Sequence, residues 1–250
     1  MSSLAGKTAV VTGSSRGVGA DTAKLLAGEG AAVVVNYRQK APRANKVVSE
    51  IEAEGGRAVA VGADLTDPED VATLMQTAVD TYGSLDLVVL NASGGMETTM
   101  GEDYALRLNR DAQVSALEAA AQRMETGGRI VFVTSHQAHF IHDVETMPEY
   151  EQVAKSKRAG EDALLERIPA LSEKGISLVV VSGDMIEGTV TATLLNRARP
   201  GALEARREAA GRLYSVHEFA EEVTKMATAD VETGHVELVG GAEDFLAAGS

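Results

Sequence analysis

The sequence predicts an α/β fold, a doubly wound parallel sheet of about seven strands with helices on both faces. Short runs of β-branched and aliphatic residues recur along the chain, and their nearly continuous apolar character is typical of strands that are covered on both faces. Longer stretches of helical composition lie between these runs, which implies right-handed crossovers between parallel strands. No linker, low-complexity tract or internal repeat divides the 250 residues, so we predict a single domain over 1–250.

The predicted strands occupy residues 8–12, 32–37, 57–62, 85–91, 129–134, 177–182 and 236–239, and the predicted helices occupy residues 17–28, 44–54, 67–82, 103–125, 150–171, 189–208 and 217–229. Asp67 and Pro68 mark one helix start, because Asp is a good N-cap residue and Pro suits the first helical position. The least regular stretches are 136–149 and 184–210. Both follow strands, so we expect both to border a ligand site at the carboxyl edge of the sheet, the second as a lid.

The composition excludes several classes of function. A net charge of −14 disfavours a nucleic-acid partner, because phosphate backbones are repelled by an acidic surface. The absence of cysteine excludes disulfides, thiolate catalysis and cysteine-ligated metals. No apolar run approaches the roughly 18 residues needed to cross a membrane, and residues 1–7 lack the apolar core of a signal peptide. We therefore expect a cytoplasmic protein without a membrane partner.

A glycine-rich turn lies between the first predicted strand and the first predicted helix. Glycines allow a tight turn and a close approach of the backbone to a pyrophosphate, and the helix start supplies unpaired N–H groups. A glycine triplet in this strand-to-helix context indicates a dinucleotide site of the Rossmann type. The residues predicted to form it are Gly13, Ser15, Arg16, Gly17, Val18 and Gly19.

The end of the second strand indicates which dinucleotide binds. An acidic residue there would accept hydrogen bonds from the ribose hydroxyls of NAD, but this chain has Asn36, Tyr37 and Arg38. Arg38 and Arg16 are suited to a 2′-phosphate, because guanidinium groups present a fixed fork of donors. We therefore predict NADP(H) rather than NAD(H). The alternative is that Arg16 and Arg38 are ordinary surface arginines without a ligand.

These motifs, taken in order, resemble the short-chain dehydrogenase/reductase family over nearly the whole chain. The glycine turn has the family's T-G-x-x-x-G-x-G spacing. The resemblance implies adenine contacts at Asp64 and Leu65, and cofactor contacts after strands four and six. The residues that it implies for those later contacts are Asn91, Ala92, Ser93, Gly94, Gly183 and Ile186. Thr189 would meet the diphosphate in the family, although one extra residue precedes it here.

The resemblance also implies a catalytic set. Ser135 would bind the substrate oxygen, Asn109 would support a proton-relay water, and Lys157 would hold the nicotinamide ribose. The family tyrosine stands four residues before the lysine, where this chain has Val153. Tyr150 lies seven residues before Lys157, and seven residues turn a helix by about 700°, so Tyr150 would share a face with Lys157 about 10 Å along the axis. That spacing resembles the type III enoyl-thioester reductases.

Three functions follow as hypotheses. The first is reduction of an enoyl-thioester C=C bond, in which Tyr150 stabilises the enolate. The second is carbonyl reduction, which Ser135 and Asn109 favour. The third is a non-catalytic NADP(H)-binding protein, which Val153 favours. Separately, the alternative for Tyr150 is a loop residue packed just before the helix, and the alternative for Lys157 is a solvated helix lysine.

Two further features concern metals and assembly. His136, His139 and His142 recur every third residue after strand five, and we expect no metal there, because a loop does not enforce ligand geometry. They would line the substrate pocket or have no function. The family resemblance implies a homotetramer or homodimer, with residues 103–125 and 150–171 packed against symmetry mates.

Overall fold

The computed structural model describes residues 3–96, 101 and 103–248. This part of the chain contains one sheet of seven parallel strands in the order β3-β2-β1-β4-β5-β6-β7. The strands are β1 (Thr8–Val11), β2 (Ala32–Tyr37), β3 (Arg57–Gly62), β4 (Leu87–Leu90), β5 (Arg129–Ser135), β6 (Ser177–Gly183) and β7 (Val236–Val239). The predicted doubly wound α/β fold is confirmed, and all seven predicted strands are present with no end more than two residues from its predicted position.

The helices alternate with the strands along the chain. They are α1 (Gly17–Gly28), α2 (Ala41–Ala53), α3 (Pro68–Tyr82), α4 (Tyr104–Leu106), α5 (Ala112–Ala121), α6 (His136–His139), α7 (Glu151–Leu165), α8 (Ile168–Glu173), α9 (Val190–Ala198), α10 (Ala202–Ala210), α11 (Val216–Met226) and α12 (Glu243–Ala248). The predicted N-cap is confirmed, because the Asp67 carboxylate accepts a hydrogen bond from the Glu69 N–H at 2.9 Å.

Three helices that were predicted as continuous are interrupted. The stretch 103–125 contains a π-helical segment, Arg107–Asp111, between α4 and α5. The stretch 150–171 divides into α7 and α8, and Pro169 stands in the first turn of α8. The stretch 189–208 divides into α9 and α10 at Pro200 and Gly201, where Gly201 has φ +87°. Proline lacks an N–H and collides with the carbonyl four residues before it, so the prediction of continuity was wrong at both prolines.

The core has two layers, one on each face of the sheet, because successive strand residues point to opposite faces. Val11, Val33 and Val131 pack beneath α1, α2 and α11. Val10, Val34 and Ile130 pack beneath α3, α5 and α7 on the opposite face. Burial on both faces explains why the strand sequences are apolar at nearly every position.

The strand order places a crevice at the carboxyl edge of the sheet. β1 pairs with β2 on one side and with β4 on the other, so the chain leaves β1 and β4 toward opposite faces. The loops after these two strands therefore diverge. In open α/β sheets this switch point is where ligands bind.

Candidate active site

A cavity of about 580 Å³ opens at this switch point. Every residue that the sequence predicted to bind the dinucleotide lines it, except Gly94. Of the predicted catalytic residues, Ser135, Tyr150 and Lys157 line it and Asn109 does not. The carboxyl ends of β1, β2, β4, β5 and β6 thus contribute to one continuous space.

The glycine turn is held in place by its neighbours. Gly13 and Gly17 have φ of +62° and +59°, a backbone region that other residues rarely adopt. The Gly13 N–H donates to the Asn36 side-chain oxygen at 2.9 Å, which ties the turn to the end of β2. A Cβ at Gly19 would stand 2.5 Å from Nδ2 of Asn91, so only glycine fits there. The start of α1 is therefore free to approach a phosphate closely.

Four cationic side chains line the end of the cavity beside β2 and α2, which is called the adenosine end because the sequence predicted the adenosine half of the cofactor there, although the protein as a whole is acidic. Arg16 and Arg38 were predicted from the sequence. Lys40 and Arg43 were not, because their positions at the start of α2 give no sequence signal for the direction of their side chains. Asn36 lies at the end of β2 with its amide bonded to Gly13 and Ala63, so it has little capacity left for a ribose hydroxyl.

The other predicted adenine and diphosphate residues border the same space. The Asp64 carboxylate accepts hydrogen bonds from the N–H and hydroxyl of Thr66, so it shapes the turn after β3. Asn91 donates from Nδ2 to the Thr12 carbonyl at 3.0 Å, which joins the loops after β1 and β4. Thr189 lines the cavity but caps α9, because its hydroxyl oxygen accepts from the Ala192 N–H at 3.1 Å.

Tyr150 and Lys157 lie on the same side of the cavity as Ser135. Tyr150 is the N-cap residue of α7, and its hydroxyl lies 3.4 Å from Oγ of Ser135, the last residue of β5. Lys157 stands two turns further along α7 and is 8% exposed. Among the described residues its ammonium has no hydrogen-bond or ion-pair partner. A buried cation facing a cavity without a partner fits a site for polar ligand atoms.

Val153, at the position where the family resemblance implied a tyrosine, does not line the cavity. It is 4% exposed and packs with Tyr150, Ala154 and Met185 in an apolar cluster. Its carbonyl accepts a hydrogen bond from Oγ of Ser156 at 2.8 Å. The valine is therefore a packing residue.

The structure places Asn109 and Gly94 together behind the cavity wall. The Asn109 amide donates to the Gly94 carbonyl at 2.8 Å and to Oγ of Ser156 at 2.9 Å, and it accepts from the Gly94 N–H at 3.2 Å. These bonds join the loop after β4 to α7. The Asn109 side chain is thus occupied by protein contacts.

None of the three regularly spaced histidines, His136, His139 and His142, lines the cavity. His136 and His139 belong to α6 rather than to a loop. His136 is fully buried; its Nε2–H donates to the Gly240 carbonyl at 2.7 Å and its Nδ1 accepts from the Ser182 hydroxyl at 2.8 Å. Burial lowers the pKa of His136 to about 4, so the ring is neutral at physiological pH. The prediction that these histidines line the substrate pocket was therefore wrong.

His139 and His142 have different surroundings. His139 lies 2.5 Å through Nδ1 from the buried carboxylate of Glu161 on α7, and His142 is exposed. Within the described ranges no group of three or more potential ligands could hold a metal ion.

The segment that was predicted as a lid is fastened at its far end. Arg206 of α10 pairs with Asp184 at 2.8 Å and with Asp244 of α12 at 2.9 Å. Burial raises the pKa of Asp184, against the opposing effect of its backbone hydrogen bond and of Arg206. α9 carries Ala192 and Leu195 against the cavity, so the apolar face of this segment closes one side of the site.

In the described part of the chain, no helix has both the length and the apolar character needed to span a bilayer.

Comparisons with known proteins agree with this architecture. A hydroxynaphthalene reductase-like protein of Metarhizium majus is 41% identical over 165 residues, which are 64% of this chain and 60% of that protein. This chain thus matches less than two thirds of that relative's length. Versicolorin reductase 1 of Dothistroma septosporum is 33% identical over 204 residues, which are 79% of this chain and 76% of that protein.

A comparison with solved structures finds a similar fold. A short-chain dehydrogenase from Burkholderia cenocepacia J2315, determined in complex with NADP, superimposes with a TM-score of 0.80 at 29% identity, over 95% of this chain and 98% of that chain. The family model described as short chain dehydrogenase matches residues 7–199. The glycine turn, the seven-stranded parallel sheet and this match together mean that the chain belongs to the short-chain dehydrogenase/reductase family of NAD(P)(H)-dependent oxidoreductases.

Proposed function

We propose that this protein is an NADP(H)-dependent reductase of apolar carbonyl compounds. The observation that supports this most directly is the 3.4 Å separation between the hydroxyls of Tyr150 and Ser135 on the cavity wall. Two hydroxyl donors at this distance can bind one carbonyl oxygen together, as a site that stabilises developing negative charge requires. The apolar residues around them suit a substrate with a largely hydrophobic body.

The residues on the cavity wall fit a dinucleotide. The turn at Gly13, Gly17 and Gly19 leaves the start of α1 open to a pyrophosphate, and a Cβ at Gly19 would collide with Asn91. Lys157 has a buried ammonium without a protein partner, which suits the hydroxyls of the nicotinamide ribose. The bound cofactor supplies hydride.

The chain's own residues have distinct tasks in this proposal. Tyr150 donates a proton to the substrate oxygen, and Ser135 donates a hydrogen bond to the same oxygen. Lys157 fixes the position of the ribose. Leu195 and Met185 exclude water from this end of the cavity, which strengthens the hydrogen bonds formed there. Asn109 holds α7 against the loop after β4, so it supports the site from behind.

The preference for NADP(H) is supported by four cations at the adenosine end, Arg16, Arg38, Lys40 and Arg43. The residues at the end of β2 include no carboxylate to receive the ribose hydroxyls of NAD. A dianionic 2′-phosphate would gain charge-assisted hydrogen bonds from such a cluster.

A second candidate is reduction of an enoyl-thioester C=C bond, favoured by the seven-residue spacing between Tyr150 and Lys157. In that reaction Tyr150 would stabilise the oxygen of an enolate rather than protonate a carbonyl. Ser135 beside Tyr150 is the observation that makes carbonyl reduction the better candidate.

One assay separates the candidates. The protein is incubated with NADPH and either an acetoacetyl thioester, an aliphatic ketone or a crotonyl thioester, and NADPH oxidation and products are followed. Turnover of the ketone or the acetoacetyl thioester supports carbonyl reduction. Turnover of the crotonyl thioester alone supports the enoyl reaction. Tight NADPH binding without turnover of any substrate would mean that the protein binds the dinucleotide without catalysis, and would refute both candidates.

We also propose that the protein forms a homo-oligomer and is located in the cytoplasm. A surface groove beside α5 and α7 combines small residues, among them Ser115, Ala119 and Ala163, with charged ones such as Arg110, Glu118 and Arg167, and a second copy of the chain could pack there. Light scattering of the purified protein should give a multiple of 26.1 kDa. A monomer at micromolar concentration would contradict it.

A further inference from the structure

Gln137 lines the cavity two residues after Ser135, and neither the family match nor the sequence patterns assigned it a role. It is the second residue of α6 and is partly buried. Ser135 and Tyr150 line the same cavity, and Gln137 bonds Thr146 and Met147, which shortly precede Tyr150 in the chain. It therefore stands at the substrate end of the site rather than at the adenosine end.

The orientation of the Gln137 amide follows from its partners. The side-chain oxygen accepts a hydrogen bond from the Met147 N–H at 3.0 Å and another from the Thr146 hydroxyl at 2.5 Å. A backbone N–H can only donate, so the atom that faces Met147 must be the amide oxygen and not the nitrogen. Both lone pairs of that oxygen are thereby used.

The amide nitrogen of Gln137 is left as an unused pair of donors. Within the described part of the chain Nε2 has no hydrogen-bond partner. It is fixed in direction, because the oxygen of the same planar group is held by two bonds. A neutral donor of this kind recognises a neutral oxygen acceptor, such as a carbonyl, rather than a cation.

We propose that Gln137 is a specificity-determining residue whose amide N–H donates to a second oxygen on the substrate, so that the preferred substrates are apolar ketones that carry a further carbonyl near the reacting one. This rests on the proposed carbonyl reduction. The reacting oxygen accepts hydrogen bonds from Tyr150 and Ser135, and the second oxygen accepts one from Gln137. A site built to pair with an oxygen discriminates against the analogue that lacks it, because the donor is then left unpaired.

The test uses two compounds of equal chain length, ethyl 3-oxohexanoate, which has the second carbonyl, and 4-nonanone, which lacks it. For the unmodified protein we expect kcat/KM for the ester to exceed that for the ketone by about tenfold or more. In Gln137→Glu, one carboxylate oxygen still accepts the hydrogen bond from the Met147 N–H. The second carboxylate oxygen, an acceptor, takes the place of the amide nitrogen, a donor. We expect the ratio of kcat/KM for the ester to kcat/KM for the ketone to fall to about threefold or less in this variant, because the ester loses more than the ketone.

Gln137→Met, which removes the donor without adding charge, is the second variant and should also lose the preference. If Gln137 only supports the 146–147 turn structurally, both compounds will slow equally and the preference will survive, which overturns the proposal. Dissociation constants of both compounds are measured in parallel on the protein saturated with NADP⁺. A binding preference that depends on Gln137 without turnover of either compound would refute carbonyl reduction but uphold the role of Gln137. The absence of any binding preference in the unmodified protein would refute that role.

Discussion

The hydroxyl of Tyr150 lies 3.4 Å from Oγ of Ser135, although the two residues are 15 positions apart in the chain. Ser135 ends β5, and the chain returns through α6 and a turn in which the Tyr150 N–H donates to the Met147 carbonyl at 2.9 Å. This return brings Tyr150 to the cavity one turn earlier on α7 than Val153. The cavity wall therefore contains a phenol, although valine stands at the position where the family resemblance implied a tyrosine.

The cations at the adenosine end give the first prediction. Arg43→Ala and Arg38→Ala should each raise the dissociation constant for NADPH by about tenfold or more, because each removes a charge-assisted hydrogen bond to the 2′-phosphate. The dissociation constant for NADH should stay within about twofold of the value for the unmodified protein, since NADH carries no 2′-phosphate. Fluorescence titration with both nucleotides measures the effect.

Lys46 provides the matched control for this prediction. It lies on the same helix as Arg43, is 78% exposed and pairs with Glu50 at 3.7 Å, and it does not line the cavity. Lys46→Ala should leave NADPH binding unchanged. Equal weakening of NADH and NADPH by Arg43→Ala would contradict the assignment of a phosphate site.

Much of the fold could be predicted from the sequence because both sheet faces are buried. Each strand is then a run of valines and other aliphatic residues, which few other structures require. The glycine turn was equally visible, because Gly13 and Gly17 adopt positive φ that other residues rarely adopt. Local sequence determines both features directly.

The site was only partly predictable. Gln137, Lys40 and Arg43 reach the cavity through the direction of their side chains, which depends on how α6 and α2 pack rather than on any motif. Asn109 was predicted from a motif, but its amide is occupied by Gly94 and Ser156. Such contacts arise only when distant segments meet.

The buried imidazole of His136 predicts a loss of stability in acid. Its pKa is about 4 in the folded protein, because burial disfavours the charged ring, against an ordinary value of 6.5. Below pH 6.5 the unfolded chain takes up a proton that the folded protein refuses, so stability falls as the pH drops from about 6.5 toward about 4. The contribution of this one group over that window is about 3 kcal/mol.

His136→Gln removes this titration and serves as the comparison, because carboxylates such as Asp184 also titrate in this range. Urea unfolding at pH 7 and pH 4.5 should show a smaller loss of unfolding free energy in the variant, by about 2 kcal/mol. Equal losses in the two proteins would mean that the ring is not held neutral by burial.

The close contact between α7 and the π-helical segment predicts that Gly160 cannot be replaced. A Cβ at Gly160 would stand 2.0 Å from the Asn109 carbonyl oxygen, so the helices must separate. We expect Gly160→Ala to lower the free energy of unfolding by about 3 kcal/mol or more. Chemical denaturation measures it.

Gly28, the last residue of α1, is the control, because a Cβ there meets nothing within 4 Å. Gly28→Ala should be neutral or stabilising by about 0.5 to 1 kcal/mol, since alanine restricts the unfolded chain. If the two substitutions had equal effects, the close approach of α7 to Asn109 would be refuted.

The most direct test of the proposed chemistry is the rate of substrate reduction by Tyr150→Phe, measured in a single turnover with saturating NADPH and an accepted substrate. We predict a fall of about 10²- to 10⁴-fold, because the variant lacks the proton donor. The dissociation constant for NADPH should be unchanged. Val153→Ala, which alters only the apolar packing beside Tyr150, should keep the rate within about tenfold. A Tyr150→Phe protein that reduces substrate as fast as the unmodified one would contradict the central role of this phenol.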